Sequence, residues 1–445
     1  LRLKYATLVF LLVVISLAAW FLLRDPYPAR SADPSKRSVC IRYEDGKYTL
    51  YRFGKPFLVK GGAGTTHLKE LKAAGGNTLR TWDTTGLDSI LADADRNQLA
   101  VIVGLIMPYN DDMDAFYNDD AKVDSQFAAY RQLVRKYRGS NAVLCWCLGN
   151  ELTYPLKPRY FKFYKAFNRL VDMIHQEDPD HPVTTTLINF EQKYLINLKL
   201  WTHIDFISFN IFGDLRHLGR DLGRFRRWWN GPFLITEWGI DGPWTTHEHT
   251  AWNAFIEPGS DQKAAQTLEL YQQHMPFKSP RFLGEMIFYW GNKQETTPTW
   301  FSLFDKHGNK SATVDVMQYL WTGHWPAQKA PGVNYMLVDN KSARDNLLYN
   351  PGDTIHARAF LKDTTLAGAC HFEWSVQRED WFRSAHDYNQ QALQSLNGLN
   401  ISQAADRFVF RAPTQEGPYR VYANIYNDNG YFATCNTPFY VIGAQ

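Results

Sequence analysis

The pattern that most limits how this chain can fold is a repeated exchange between two periodicities. Short apolar runs fall at residues 57–60, 77–82, 99–106, 143–148, 183–188, 206–210, 233–236 and 282–289, several of them rich in Val, Ile, Phe and Thr. Between them lie amphipathic stretches such as 123–137 and 160–175, where apolar residues recur at spacings of three and four. Parallel strands need long, usually helical crossovers, so eight strand-then-helix repeats predict an α/β chain folded as a (β/α)8 TIM barrel. A doubly wound parallel sheet is the alternative that the pattern alone allows.

The flanks of the repeat read differently. Tyr5 to Leu23 carries no charge and follows Arg2 and Lys4. A run of that length can cross a bilayer. Because Trp20 to Leu23 stay apolar beyond the small Ala18 and Ala19, an uncleaved transmembrane segment is expected ahead of a cleaved signal peptide. Arg24, Arg30, Lys36 and Arg37 on the far side weaken the charge asymmetry that sets orientation. Export of the remainder is the favoured arrangement: membrane-anchored with the folded body periplasmic or extracellular, or secreted if the segment is removed. RDPYPARSADPSKRS then forms a tether, so residues 1–38 are anchor or signal plus linker. A hairpin with its turn at Asp45-Gly46 opens the barrel domain, residues 39–325. After the Pro- and Gly-containing TGHWPAQKAPGV the pattern becomes period two, in PGDTIHARAFLKD, FVFRAP and GPYRVYANIYNDNGYFATC, with Asn429-Gly430 as a turn. Residues 331–445 are therefore expected to form an immunoglobulin-like β-sandwich.

Composition removes several function classes. Lys and Arg number 48 against 45 Asp and Glu, without long runs of one sign, so no nucleic-acid footprint is present. Five Cys are too few for a disulfide scaffold. Cys145 and Cys147 sit in an apolar run and read as buried, whereas Cys370 and Cys435 are able to pair in an oxidising compartment, leaving Cys40 single. Aromatics at 15% serve core filling, and also stack on sugar rings. Nothing in the sequence sets the oligomeric state.

In a parallel barrel, chemistry sits where strands end. The fourth run, AVLCWCLGNE, ends in Asn150-Glu151, and the seventh, PFLITEWG, reaches Glu237. Two carboxyl groups at nearly opposite strand mouths are what cleavage of a glycosidic bond uses: one protonates the leaving oxygen and the other meets the developing oxocarbenium carbon.

The ordered set GGNTLRTW, LGNE, SFNIFG, ITEWG and a Trp after the eighth strand resembles the catalytic barrels of the clan A retaining glycoside hydrolases, most closely the family 2 TIM-barrel domain and the family 5 enzymes. The resemblance covers residues 39–321. It implies Glu151 as general acid/base, Glu237 as nucleophile and Asn150 as a hydrogen-bond partner of the sugar 2-hydroxyl. It further implies Arg80 as the cation that keeps Glu237 ionised and Trp290 as the floor of the subsite for the cleaved sugar. Asn210, Trp82 and Trp238 are the other expected substrate contacts. The sequence departs from the family after the sixth strand: where many members place a Tyr bonded to the nucleophile, SFNIFG has Asn210 and Phe212. The implied reaction is hydrolysis or transglycosylation of a β-linked glucan or related polysaccharide through a covalent glycosyl-enzyme, with no metal or organic cofactor.

Other features carry less. Gly61 to Gly64 lacks the Lys-Ser/Thr of a phosphate loop and reads as a turn. His247, Glu248 and His249 suggest a metal-dependent hydrolase, but without the spacing that puts two His on one helix face. Asp111, Asp112, Asp114, Asp119 and Asp120 are solvated or contact sugar hydroxyls. A non-catalytic polysaccharide-binding surface protein is the alternative function, against which the trio of two carboxylates and Arg80 argues.

Overall fold

The computed structural model describes residues 2–23, 37–109, 112–246, 248–363, 369–379 and 393–443. Helix α1 (Arg2–Leu23) leaves Leu8, Val9, Phe10, Leu11 and Leu12 exposed. Counted over the described residues, no helix is long and apolar enough to cross a membrane.

The hairpin forms as the sequence predicts. Strands β1 (Val39–Glu44) and β2 (Lys47–Arg52) pair antiparallel with Glu44 opposite Lys47, and Asp45 and Gly46 both take positive φ, the geometry of a two-residue turn that matches strand twist. A short β3 (Lys55–Pro56) extends it. Val39, Ile41, Tyr48 and Leu50 join one core with Val59, Ala100, Ile102, Leu144, Cys145, Cys147, Phe206 and Leu234. The hairpin thus shares a core with the barrel strands.

Strands β4 (Val59–Ala63), β5 (Thr78–Arg80), β6 (Ala100–Leu105), β7 (Val143–Leu148), β8 (Val183–Ile188), β9 (Phe206–Asn210), β10 (Phe233–Trp238) and β11 (Phe282–Phe288) close into the expected barrel. From β5 to β10 each neighbouring pair runs parallel. Between them come α2 (Leu68–Ala73), α3 (Leu87–Arg96), α4 (Asp112–Tyr117), α5 (Asp120–Tyr137), α6 (Phe161–Glu177), α7 (Gln192–Trp201), α8 (Leu215–Arg224) and α9 (Ser260–His274), with α10 (Ala312–Thr322) after β11. Helix α6 shows why they form: Phe163, Phe167, Leu170, Val171 and Ile174 recur at three- and four-residue spacing and are all buried. The Asp119 carboxylate accepts from the backbone N–H groups of Ala121 and Lys122 and caps α5.

The C-terminal region is a β-sandwich. One sheet has the order β12 (Val333–Val338), β14 (Thr354–Leu361), β17 (Arg407–Arg411), β16 (Asn400–Ala404). The other has β13 (Leu348–Tyr349), β19 (Tyr431–Val441), β18 (Gly417–Asn427), β15 (His371–Arg378). Ile355, Ala357, Phe372, Val376, Phe410, Val421 and Phe439 fill the space between them. The Cys370–Cys435 pairing does not form, and all five cysteines are free. Its reason is register. Phe372 pairs with Ile425 and Cys435 with Ala423, so the two cysteines lie two strands and several residues apart, about 16 Å by strand geometry.

By contacts the chain divides into two compact units, one of Leu1–Gly61, Asn77–Trp238 and Pro276–Met286, the other of Gly62–Gly76, Gly239–Met275 and Ile287–Gln445. The sandwich therefore clusters with the segment that carries α2 and with those that follow β10 and β11.

Candidate active site

Arg80, at the end of β5, organises the first unit. Its side chain is completely buried. Nη1 donates to Glu237 Oε1 at 2.7 Å and to Asn210 Oδ1 at 3.0 Å. Nη2 donates to Asn150 Oδ1 at 2.6 Å and to Thr186 Oγ1 at 3.2 Å. A buried guanidinium with these partners favours the charged carboxylate at Glu237 and fixes its plane.

Asn210 is the second organiser. Its Oδ1 accepts from Arg80 and from Thr236 Oγ1 at 3.1 Å, while its Nδ2 donates to Glu151 Oε1 at 2.8 Å and Asn150 Oδ1 at 3.1 Å. All four hydrogen-bonding positions of the amide are used. Asn210 therefore positions other groups, and the direct substrate contact expected of it from sequence gives way to that role. Glu151 and Glu237 are joined through it: one carboxyl accepts from Asn210, and the other accepts from the guanidinium that Asn210 also binds.

The turn after β7 aims Glu151. Gly149 has φ +71° and Glu151 φ +54°. A Cβ at Gly149 would stand 2.5 Å from the Leu152 side chain, so only glycine fits. A left-handed glutamate costs about 1 to 2 kcal/mol, and the surroundings hold it there. Buried Tyr154 shares a hydrogen bond with Thr185 Oγ1 at 2.6 Å and its carbonyl accepts from Asn197 Nδ2 at 2.6 Å, pinning the segment to β8 and α7. Glu237 lies inside β10, one residue before its end, rather than beyond it.

Glu237 accepts from a second donor besides Arg80. Trp82 Nε1 donates to Glu237 Oε1 at 2.8 Å, and its ring lies 5.4 Å from the Arg80 guanidinium carbon. Trp82 keeps an accessible face. The other two tryptophans do not: Trp238 and Trp290 are each 0% exposed. Trp238 donates to the buried carboxylate of Glu285. Trp290, in the second unit, donates to the His67 carbonyl at 3.2 Å and packs on Phe304 and Trp321. Gly62 makes room for it, since a Cβ there would come within 2.6 Å of the indole. The expected sugar-floor role of Trp290 and the expected substrate contact of Trp238 are corrected to interior packing.

The weaker motifs resolve into structural roles. Glu248 pairs with Arg344 and His249 Nδ1 lies 3.2 Å from the Thr250 carbonyl, while His247 falls outside the described residues. Among the described residues no cluster of His, Cys, Asp and Glu could hold a metal ion. Asp114 pairs with Arg159 at 3.4 Å, Asp120 lies 3.7 Å from Lys162, and Asp111 is outside the described residues. Burial pushes the Cys145 and Cys147 thiols up, as interior groups rather than nucleophiles. Sequence reasoning missed Thr186, Thr236 and Tyr154; their only signal is that they continue the inward parity of their strands or lie in the turn beside Glu151.

No family model and no curated protein matches the chain. Solved structures do match. A β-glucuronidase of Bifidobacterium dentium complexed with coumarin-3-O-glucuronide is 15% identical with a TM-score of 0.51, covering 65% of this chain and 50% of that one. A β-D-glucuronidase of Dictyoglomus thermophilum is 17% identical with a TM-score of 0.49, covering 65% and 55%. An endo-β-1,4-mannanase of Thermotoga petrophila is 14% identical with a TM-score of 0.43, covering 88% and 99%. The chain spans about half the length of the glucuronidases it matches. At these identities the likeness concerns the fold alone, a closed eight-stranded barrel.

Proposed function

We propose that the chain is a retaining β-glycoside hydrolase or transglycosylase acting through Glu151 and Glu237. The observation that carries this reading is the single hydrogen-bonded array in which Arg80 and Asn210 hold both carboxyl groups. In the first step Glu237 attacks the anomeric carbon, the bond from that carbon to the leaving oxygen breaks, and the Glu151 proton goes to that oxygen. In the second step Glu151 takes a proton from water or a sugar hydroxyl, which displaces Glu237 from the same carbon. The amide nitrogen of Asn150, whose oxygen is already engaged, is the donor assigned to the sugar 2-hydroxyl. The donor-side sugar stays at the level the motifs imply, a β-linked glucan or a related oligosaccharide or polysaccharide.

We further propose that the uncharged run from Tyr5 to Leu23 directs the chain to a membrane, with the barrel and sandwich exported. The exposed apolar side chains along α1 support this. Alkaline extraction of membranes and protease access in intact cells test it; release by alkali, or a protected sandwich, would sink it.

The central test incubates the full chain with a panel of β-linked oligosaccharides beside Glu151→Gln and Glu237→Gln, resolving products by mass and anomeric configuration. Retained configuration from the wild type alone is the expected result, and products longer than the substrate mark transglycosylation. Equal turnover by the variants, or inverted products, overturns the assignment.

A further inference from the structure

We infer that the leaving-group side of this site is built for an aliphatic aglycone, so that the substrate is a β-glycoside of an alcohol carrying an alkyl chain. The inference rests on the reading of Glu151 as the acid, because the group beside the acid is the group that leaves.

Strand parity places the surface. Along β6, Ala100 and Ile102 point into the barrel core, and the same parity reaches Ile106 just past the strand. Along β8, Thr184 bonds Ser208 and Thr186 bonds Arg80 inside the barrel, and the same parity reaches Ile188. Both isoleucines therefore stand at the mouth on the inward side. They are strongly exposed there, Ile106 at 58% and Ile188 at 45%. Register puts them on either side of Glu151. Leu105 pairs with Leu148 and its carbonyl accepts from the Gly149 N–H at 2.8 Å, so Ile106 directly follows the residue bonded to the turn that carries Glu151. Ile188 pairs with Asn210, the residue that holds Glu151. Leu156, on the loop after β7, adds a third exposed aliphatic at 56%.

Scattered exposed aliphatics mean little, but these flank a buried charged array on the two strands next to the acid. A sugar in that position needs donors and acceptors for its hydroxyls, or an aromatic face. Branched aliphatic side chains provide neither, and they do provide contact for methylene groups. Of the acidic residues after β6, Asp119 caps α5 and Asp114 pairs with Arg159. Tyr109, exposed in the same loop, is the ring a sugar would have to use instead.

The experiment compares methyl, propyl and hexyl β-glycosides of glucose, galactose, mannose and glucuronic acid, below their aggregation concentrations, with the matched β-linked disaccharides. Wild type, Ile106→Asn, Ile188→Asn and Glu237→Gln are assayed as full chains; both isoleucines are exposed, so neither change opens a core. For the sugar accepted, kcat/KM is expected to rise about fourfold per methylene, equivalent to roughly 0.8 kcal/mol for each buried CH2. Each isoleucine variant lowers the hexyl-to-methyl ratio, and Glu237→Gln abolishes turnover of all of them. A flat series, or disaccharides preferred over hexyl glycosides with unchanged ratios in the variants, overturns the aliphatic site and leaves the glycosidase reading standing. If no glycoside is turned over, the glycosidase reading fails. Calorimetric binding then decides this one: tighter binding of hexyl than methyl glycosides that is lost in Ile188→Asn upholds the apolar surface, and no difference overturns it.

Discussion

Replacing Arg80 by Met keeps a long side chain in a fully buried slot and removes the charge and every donor. Glu237, itself 5% exposed, then keeps Trp82 as a donor but loses its cation. The amide oxygens are less affected: Asn210 Oδ1 retains Thr236, and Asn150 Oδ1 retains Asn210 Nδ2. The loss is therefore concentrated on one buried carboxylate. Breaking a buried pair in this way costs about 3 to 5 kcal/mol, and the remaining Trp82 donor puts this case near the low end. The deficit is largest at neutral pH and shrinks toward acid pH, where a Glu237 that has lost its cation takes up a proton. Urea unfolding followed by tryptophan fluorescence and by circular dichroism measures it, with Glu237→Gln and the double variant completing a cycle. The double variant is expected to recover much of the loss, because no buried charge is left alone. A single variant within about 1 kcal/mol of wild type, or singles that add within about 0.5 kcal/mol, would refute the claim that this pair organises the site.

Trp82→Phe removes one donor to a charged acceptor, so kcat/KM should fall by about one to two orders of magnitude and the acidic limb of its pH profile should move to higher pH; an unchanged limb would place Trp82 outside the array. Burial holds the Asp315 carboxyl up at about 6, against the hydrogen bond from the Ala330 N–H. The folded state then binds more protons than the unfolded one between pH 4 and pH 6, so this group's contribution falls as pH rises through that window and is flat above it. Asp315→Asn should flatten that slope and be more stable above pH 6 by about 2 kcal/mol after allowing for partial screening; parallel pH curves would contradict the burial. The denatured chain should titrate five thiols without a reductant, and three would mean the pair on the sandwich had bridged.

How far the sequence reached depended on what each residue had to satisfy. The bounds 143–148, 183–188 and 206–210 coincide with β7, β8 and β9 because each is a short run dominated by apolar and β-branched residues with a Gly, Pro, Asn or Asp beside at least one end. The first barrel strand was displaced, 57–60 against Val59–Ala63, because Gly61 to Gly64 carries a turn signal in any chain. Here the glycines are in the strand because the last strand fills the space: a Cβ at Gly61 would meet Met286 at 2.8 Å. Glu151, Glu237, Arg80 and Asn150 were legible because charged or amide residues closing apolar strands are rare. The directions of Trp238 and Trp290 were not, since an indole at a strand end can face the core or the mouth with the same sequence around it. Whether Cys370 and Cys435 come within bridging distance is not legible, because period-two alternation gives the face of a strand and not its register.

The sandwich's place in the chain follows from a buried polar array that it completes. In the second unit Glu257 is buried after β10, with Oε1 accepting from Lys263 at 2.5 Å and Thr299 at 2.8 Å, and Oε2 from Thr297 at 2.7 Å and Asn436 at 2.8 Å. Asn436 belongs to β19, and its oxygen accepts from Arg420 of β18 at 2.6 Å. Arg420, fully buried, donates Nε to Glu379 and Nη2 to the Phe255 carbonyl at 2.6 Å. Two buried carboxylates thus meet two buried cations, Lys263 on Glu257 and Arg420 on Glu379, and Asn436 of the sandwich joins the two pairs. Backbone pairs add to it, with Lys310 donating to the Gly430 carbonyl and Phe432 to the Lys310 carbonyl, both at 2.9 Å. A chain cut after residue 325 would leave Glu257 without Asn436 and the Phe255 carbonyl without its donor, and would expose the strip around Ser260 that bonds Thr434. Such a fragment should bind a hydrophobic dye and unfold at lower urea than the full chain, and Arg420→Met in the full chain should cost about 3 to 5 kcal/mol. A truncated barrel that unfolds at the same urea concentration as the intact protein would show that the sandwich is an appendage, and that Glu257 and Lys263 satisfy each other alone.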